Sequence, residues 1–165
     1  MSTSSWFPAT TGTSSISKPS ESSQRCAAPI EHQESWPQHF EHPSTTITEV
    51  TTLALHEWGN PAAPTLLLVH GLTESASTWP DAVANWSSRY HVLAVDLRGH
   101  GVSPRWDDNS LARAPQTIQE DLERVLFSLP EPPVVVAHSL GGLMSLRVSV
   151  ARPDLVRALV LEDVA

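Results

Sequence analysis

Four short and nearly unbroken apolar runs, Thr65–Val69, Val92–Val95, Val134–Ala137 and Ala158–Leu161, set the tightest limit on what this chain can fold into. They lack the alternation of a strand with one wet face, so each reads as a parallel strand covered on both sides. The spacers must then supply the covering helices. Trp79, Val83 and Trp86 fall at i, i+4 and i+7 on one helical stripe. Ile118, Leu122, Val125, Leu126 and Leu129 form a second apolar face, with Thr117 and Glu120 in capping-box spacing at its start and Pro130 to stop it. A third helix is predicted to open at Ser139, to run through Leu143, Met144, Leu146 and Val150, and to end near Arg152-Pro153, where the residue before proline is driven out of the helical region. Ahead of these units, Thr46–Thr52 and Leu53–Trp58 are rich in β-branched and apolar residues and break at Gly59-Asn60-Pro61, which predicts two antiparallel opening strands. Two strands followed by alternating strand and helix predict an α/β fold with a mostly parallel sheet.

Residues 1–44 have a different character. They are rich in Ser, Thr, Pro, Gln and Glu, show no sustained period, and read as a disordered leader to a domain over residues 45–165. Trp6, Phe7, Trp36 and Phe40 are either short docking elements or the isolated aromatics common in such tails. A length of 165 residues, 40% of them hydrophobic, suits one modest core. The formal net charge is -8, Lys18 is the single lysine, and no Lys/Arg cluster exists, which argues against nucleic acid or anionic lipid as a partner. Cys26 alone builds no internal disulfide and completes no metal-ligand set. Met1–Thr13 has neither the basic patch nor the apolar run of a signal peptide, and no apolar run nears the roughly 20 residues that span a bilayer, so a soluble, cytoplasmic protein is expected.

The chemistry is concentrated in Val134-Val135-Val136-Ala137-His138-Ser139-Leu140-Gly141-Gly142, a buried strand running into a helix through a serine. Such a turn points the hydroxyl away from the sheet and tolerates only small residues two positions to either side, a demand that Ala137 and Gly141 meet. The helix starting there aims its first N–H groups at the same spot, placing the Leu140 amide to stabilise a developing oxyanion. Serine is also a preferred N-cap residue, and the same residues would suit a plain cap. A second element favours the nucleophile: His70-Gly71-Leu72 follows the first parallel strand directly, Gly71 there lets the backbone approach a substrate closely, and the family that these residues resemble, together with the motifs that follow, implies the Leu72 amide as a second donor.

Leu68-Val69-His70-Gly71, then Asp96-Leu97-Arg98-Gly99-His100-Gly101-Val102-Ser103, then Ala137-His138-Ser139-Leu140-Gly141-Gly142 together resemble the α/β-hydrolase superfamily, in its serine esterase and lipase-like branch. The resemblance runs from about Thr48 to Ala165 and spans the first six strands of that fold. It departs at Ala137, where the family most often has glycine. It implies Ser139 as the nucleophile of an acyl transfer to a small-molecule ester, thioester or similarly activated substrate, without cofactor or metal. A serine, not an aspartate, argues against the branches that displace at carbon. Strand alternation turns His138 away from Ser139, so His138 and His70 are expected to be hydrogen-bonded structural residues. The loop from Asp96 to Ser103 is likewise expected to be structural, with Arg98 pairing with a carboxylate or a backbone carbonyl.

In this fold the catalytic acid and then the histidine follow the nucleophile, yet no histidine follows Ser139 in the sequence. The resemblance puts both, with the lid region, beyond Ala165. Asp163 matches an alternative acid position, or else caps the end of the sixth strand. The expectation is a truncated product or partial gene model, with negligible activity by itself and an apolar edge at Ala158–Leu161. Two other readings stay open: a non-catalytic binding fragment, and a cofactor-free perhydrolase or lyase on the same scaffold.

Overall fold

Every apolar run becomes a strand in the computed structural model, which describes residues 44–46 and 53–164. Thr65–Val69 (β3) pairs in parallel with His91–Val95 (β4) on one side and Val134–His138 (β5) on the other, and β5 pairs in parallel with Ala158–Glu162 (β6). Ser44–Thr46 (β1) and Leu55–Trp58 (β2) join antiparallel, giving a six-stranded sheet of order β1-β2-β4-β3-β5-β6. The second opening strand therefore starts two residues later than predicted. The first overlaps its prediction only at Thr46, and residues 47–52 lie outside the described residues. So do residues 1–43 of the leader, whose last residue, Ser44, opens β1.

The reason for the unbroken apolar runs is visible in the two cores. Leu67 and Val69 of β3, Leu93 and Val95 of β4, and Val135 and Ala137 of β5 face one cluster, which Ile118, Leu122, Val125, Met144 and Val148 complete from two helices. Leu66, Leu68, Val92 and Ala94, the alternate residues of the same strands, face a second cluster with Trp58, Trp79 and Val83, and Val134 and Val136 pack against it. Each strand is thus apolar on both faces because each face has its own layer of helix. One layer is Pro80–Trp86 (α1); the other is Ala114–Ser128 (α3) and Ser139–Ala151 (α4). Full burial of one such Leu or Val is worth about 1.5–3 kcal/mol, so the interleaved strands carry most of the drive to fold. β6 lies at the sheet edge with Val160 and Leu161 half exposed.

The start of α3 departs from expectation. Thr117 and Glu120 do not cap it; the helix already begins at Ala114, with Pro115 in its first turn, and Thr117 is buried inside it with its hydroxyl donating to the Ser110 carbonyl at 3.1 Å. The capping box lies earlier, at Asp107 and Ser110, where it opens the short helix Asp108–Ala112 (α2). The predicted stop is in place: Leu129, before Pro130, is extended at ψ 145°. Among the described residues no helix is long and apolar enough to cross a membrane.

Candidate active site

β5 ends at His138 and α4 begins at Ser139 with no intervening loop, so the chain reverses within one residue. Ser139 takes up the bend at φ 46°, a left-handed conformation that costs a residue with a Cβ roughly 1–2 kcal/mol. The bend fits because its neighbours are small. Ala137 is wholly buried, and a Cβ on Gly141 would stand 2.4 Å from the His70 carbonyl oxygen and 2.7 Å from that of Val69. The missing side chain at 141 therefore lets the first turn of α4 lie directly on the end of β3. That contact brings Ser139 and Leu140 beside the His70-Gly71-Leu72 loop. Leu140 is the second residue of α4, so its N–H belongs to the first turn, which has no intrahelical acceptor. Ser139 itself is half buried, and its hydroxyl has no hydrogen-bond partner among the described residues.

Three side chains hold the His70-Gly71-Leu72 loop. Leu97 N–H donates to Nε2 of His70 at 3.0 Å, which leaves the proton on Nδ1, and Nδ1 donates to the Gly71 carbonyl at 2.7 Å. Burial pushes the His70 pKa down further than its bond to Gly71 raises it, so the ring is neutral and the tautomer is fixed. His100 donates from Nε2 to the Leu72 carbonyl at 2.5 Å. The Gly71 N–H donates to Oε2 of Glu74 at 2.7 Å, and the same oxygen accepts from Nδ1 of His138 at 2.9 Å. Gly71 is glycine for that reason: a Cβ there would lie 2.8 Å from the His138 ring and 3.0 Å from the Glu74 carboxylate.

His138 and His70 are both hydrogen-bonded within the protein, and His138 is on the α1 face of the sheet, as strand alternation required. Arg98 grips Asp121 with two bonds of 2.7 and 3.0 Å. Asp163 follows β6, exposed and at φ 47°, with no hydrogen bond to a histidine among the described residues. An open groove of about 500 Å³ between α1 and the end of β5 is walled by Trp79, Trp86, Glu74, His138 and Glu162. Ser139 is not among the residues that wall it.

The hydrogen bond to Glu74 raises the His138 pKa above its ordinary 6.5, with the Glu162 and Asp163 charges adding to it. Burial alone would raise the Glu74 pKa, but the Gly71 and His138 hydrogen bonds outweigh it and hold the carboxyl below its usual range. A raised histidine pKa favours the folded state while the unfolded histidine is still protonated, and that contribution fades as pH climbs through the folded value. The urea midpoint should therefore fall between about pH 6 and pH 9 by more in the native sequence than in His138→Gln. His70, shifted the opposite way, is common to both proteins and cancels. Identical pH profiles would show that the pair is not formed.

The model of the alpha/beta hydrolase family matches residues 66–165. The chain belongs to this family. Esterase Rv0045c of Mycobacterium tuberculosis is 37% identical over 123 residues, which are 74% of this chain and 40% of that protein. Lipase LipV of the same organism is 35% identical over 120 residues, 70% of this chain and 43% of the relative. Among solved structures, a thioesterase domain from the curacin biosynthetic pathway superposes with a TM-score of 0.68 at 26% identity, over 75% of this chain and 47% of that one. The alpha/beta hydrolase described here thus spans about two fifths of the length of these curated relatives.

Glu74 and His56 escaped the sequence reading, and Asp96 entered it only as the first residue of a loop expected to be structural. Asp96 is wholly buried, and its carboxylate accepts from Ala76 N–H at 2.8 Å, Val102 N–H at 3.0 Å and Nε2 of buried His56 at 3.0 Å. The only sequence signal was an acid ending the apolar strand β4. Burial opposes ionisation of Asp96, but the bonds from His56, Ala76 and Val102 more than offset it and hold its pKa below the ordinary value.

Proposed function

We propose that Ser139 is the nucleophile of a hydrolase acting on ester, thioester or similarly activated acyl bonds of a small molecule. One observation carries the reading: a serine held at φ 46° where a buried strand meets a helix, its first turn seated on the His70-Gly71 loop. A residue confined to so sparsely populated a conformation is most often one whose side chain must be aimed. The hydroxyl attacks the acyl carbon, and the N–H groups of Leu140 and Leu72 hold the oxyanion. The first is free because it opens a helix. The second follows from plane geometry: in a trans peptide C=O and N–H point opposite ways, so fixing the Gly71 carbonyl on His70 turns the Leu72 N–H outward. The names of the esterase and lipase relatives and of the thioesterase neighbour support acyl chemistry.

The base is not among the described histidines near the elbow. His56, His70, His91, His100 and His138 each bond a group other than Ser139. Asp163 is the carboxylate this part of the chain offers to a histidine supplied from elsewhere. A fluorophosphonate probe should label the full reading frame at Ser139, located by peptide mass spectrometry. Labelling at a different residue of the full protein would remove the assignment.

A further inference from the structure

We propose that Glu74 is a positioning residue that ties the loop bearing the Leu72 amide to the strand end bearing Ser139, through Gly71 on one side and His138 on the other. This rests on the acyl-transfer reading above. Oε2 of Glu74 is shared by two donors from different parts of the fold. One is the backbone N–H of Gly71, directly before Leu72; the other is the ring of His138, directly before Ser139, 64 residues away in sequence. The oxygen is thus a single-atom bridge between the proposed oxyanion donor and the nucleophile.

The loop is clamped at three consecutive peptide planes. Glu74 fixes the plane holding the Gly71 N–H, His70 fixes the plane holding the Gly71 carbonyl, and His100 fixes the plane holding the Leu72 carbonyl. The Leu72 N–H has no protein partner among the described residues, and the clamps on both sides leave it little freedom to turn. His70 and His100 fix the direction of the planes. Glu74 also bonds the last residue of β5, His138, and so restrains the distance from the loop to the elbow. An oxyanion hole works only when its donors stand about 2.7–3.1 Å from the developing charge, so a bridge that prevents a shift of even half an ångström bears on rate and not on substrate binding. With the Glu74 and His138 side chains each about a quarter exposed, the bridge is screened but not dissolved by water.

The test uses the full reading frame with a short activated ester, reading kcat, KM and melting temperature. Outright removal of one oxyanion donor costs about 10²–10³ in kcat, so Glu74→Ala should lower kcat about 10- to 100-fold with KM changed less than about threefold. Glu74→Gln keeps an oxygen for the Gly71 amide and should recover kcat to within about threefold of the native enzyme. If Glu74→Ala does not fold, His138→Ala cuts the bridge from the other end and should lower kcat at least about fivefold. The proposal is overturned if kcat stays within about twofold in the truncated variant that folds, if the loss lies in KM, or if Glu74→Gln is as slow as Glu74→Ala. Ser139→Ala in the same assay separates the two ideas. Turnover that survives it sinks the acyl-transfer reading, whereas turnover lost there but kept in Glu74→Ala sinks only the bridge.

Discussion

Replacing Ser139 with alanine in the full reading frame is expected to lower kcat for short activated esters by about 10⁴- to 10⁶-fold, with the protein still folded. The size follows from what is lost. On the proposed acyl-transfer reading, loss of the hydroxyl prevents the acyl-enzyme and leaves only the two backbone donors and substrate positioning to assist water. Alanine keeps the Cβ that already tolerates φ 46°, so the bend and the packing of Gly141 on the end of β3 should persist. Steady-state kinetics with active-site titration checks the loss, and circular dichroism checks the fold. A fall of less than tenfold would place the nucleophile elsewhere.

The second large effect concerns Asp96, the buried carboxylate at the end of β4. Asp96→Ala should destabilise the protein by about 3–5 kcal/mol, measured by urea unfolding. The carboxylate joins three distant pieces of chain: His56 of β2, the Ala76 amide beyond the oxyanion loop, and the Val102 amide of the following turn. Its own carbonyl accepts from Ser103 Oγ at 2.6 Å, and that hydroxyl in turn receives the Ala54 N–H at 2.8 Å. Truncation takes their shared acceptor from the buried Ala76 N–H, the partly buried Val102 N–H and the buried His56 imidazole. Against a total stability of about 5–15 kcal/mol the loss is large. The exposed pair of Arg157 and Glu131, also at 2.7 Å, is the control: Arg157→Ala should cost no more than about 1 kcal/mol. Because Asp96 is held ionised in the folded state, its contribution is present above the carboxylate's unfolded pKa and is lost as pH falls through the depressed folded value. A cost below about 1 kcal/mol for Asp96→Ala would mean that water reaches these groups.

The parallel strands were legible because their code is local: a strand buried on both faces needs an apolar residue at every position, and Leu66 through Val69 supply it. The elbow was legible for a similar reason, since its small residues lie within two positions of Ser139. The start of α3 was misread because two segments compete for one signature. Thr117 and Glu120 have capping-box spacing, but Thr117 commits its hydroxyl to Ser110 while Asp107 and Ser110 make the actual box one element earlier. Spacing alone does not tell which serine or threonine has a free amide to cap. The Glu74–His138 and Asp96–His56 pairs were invisible for a different reason. They join residues 64 and 40 positions apart, and only the strand order, with β3 beside β5 and β2 beside β4, brings them together.

The left-handed backbone at Ser139 sets two requirements against each other. Glycine would occupy that bend at ease and make the protein sturdier, yet it carries nothing able to attack a carbonyl. A serine there leaves the polypeptide wound slightly against its own preference, with the surrounding architecture supplying the restraint that keeps the oxygen aimed.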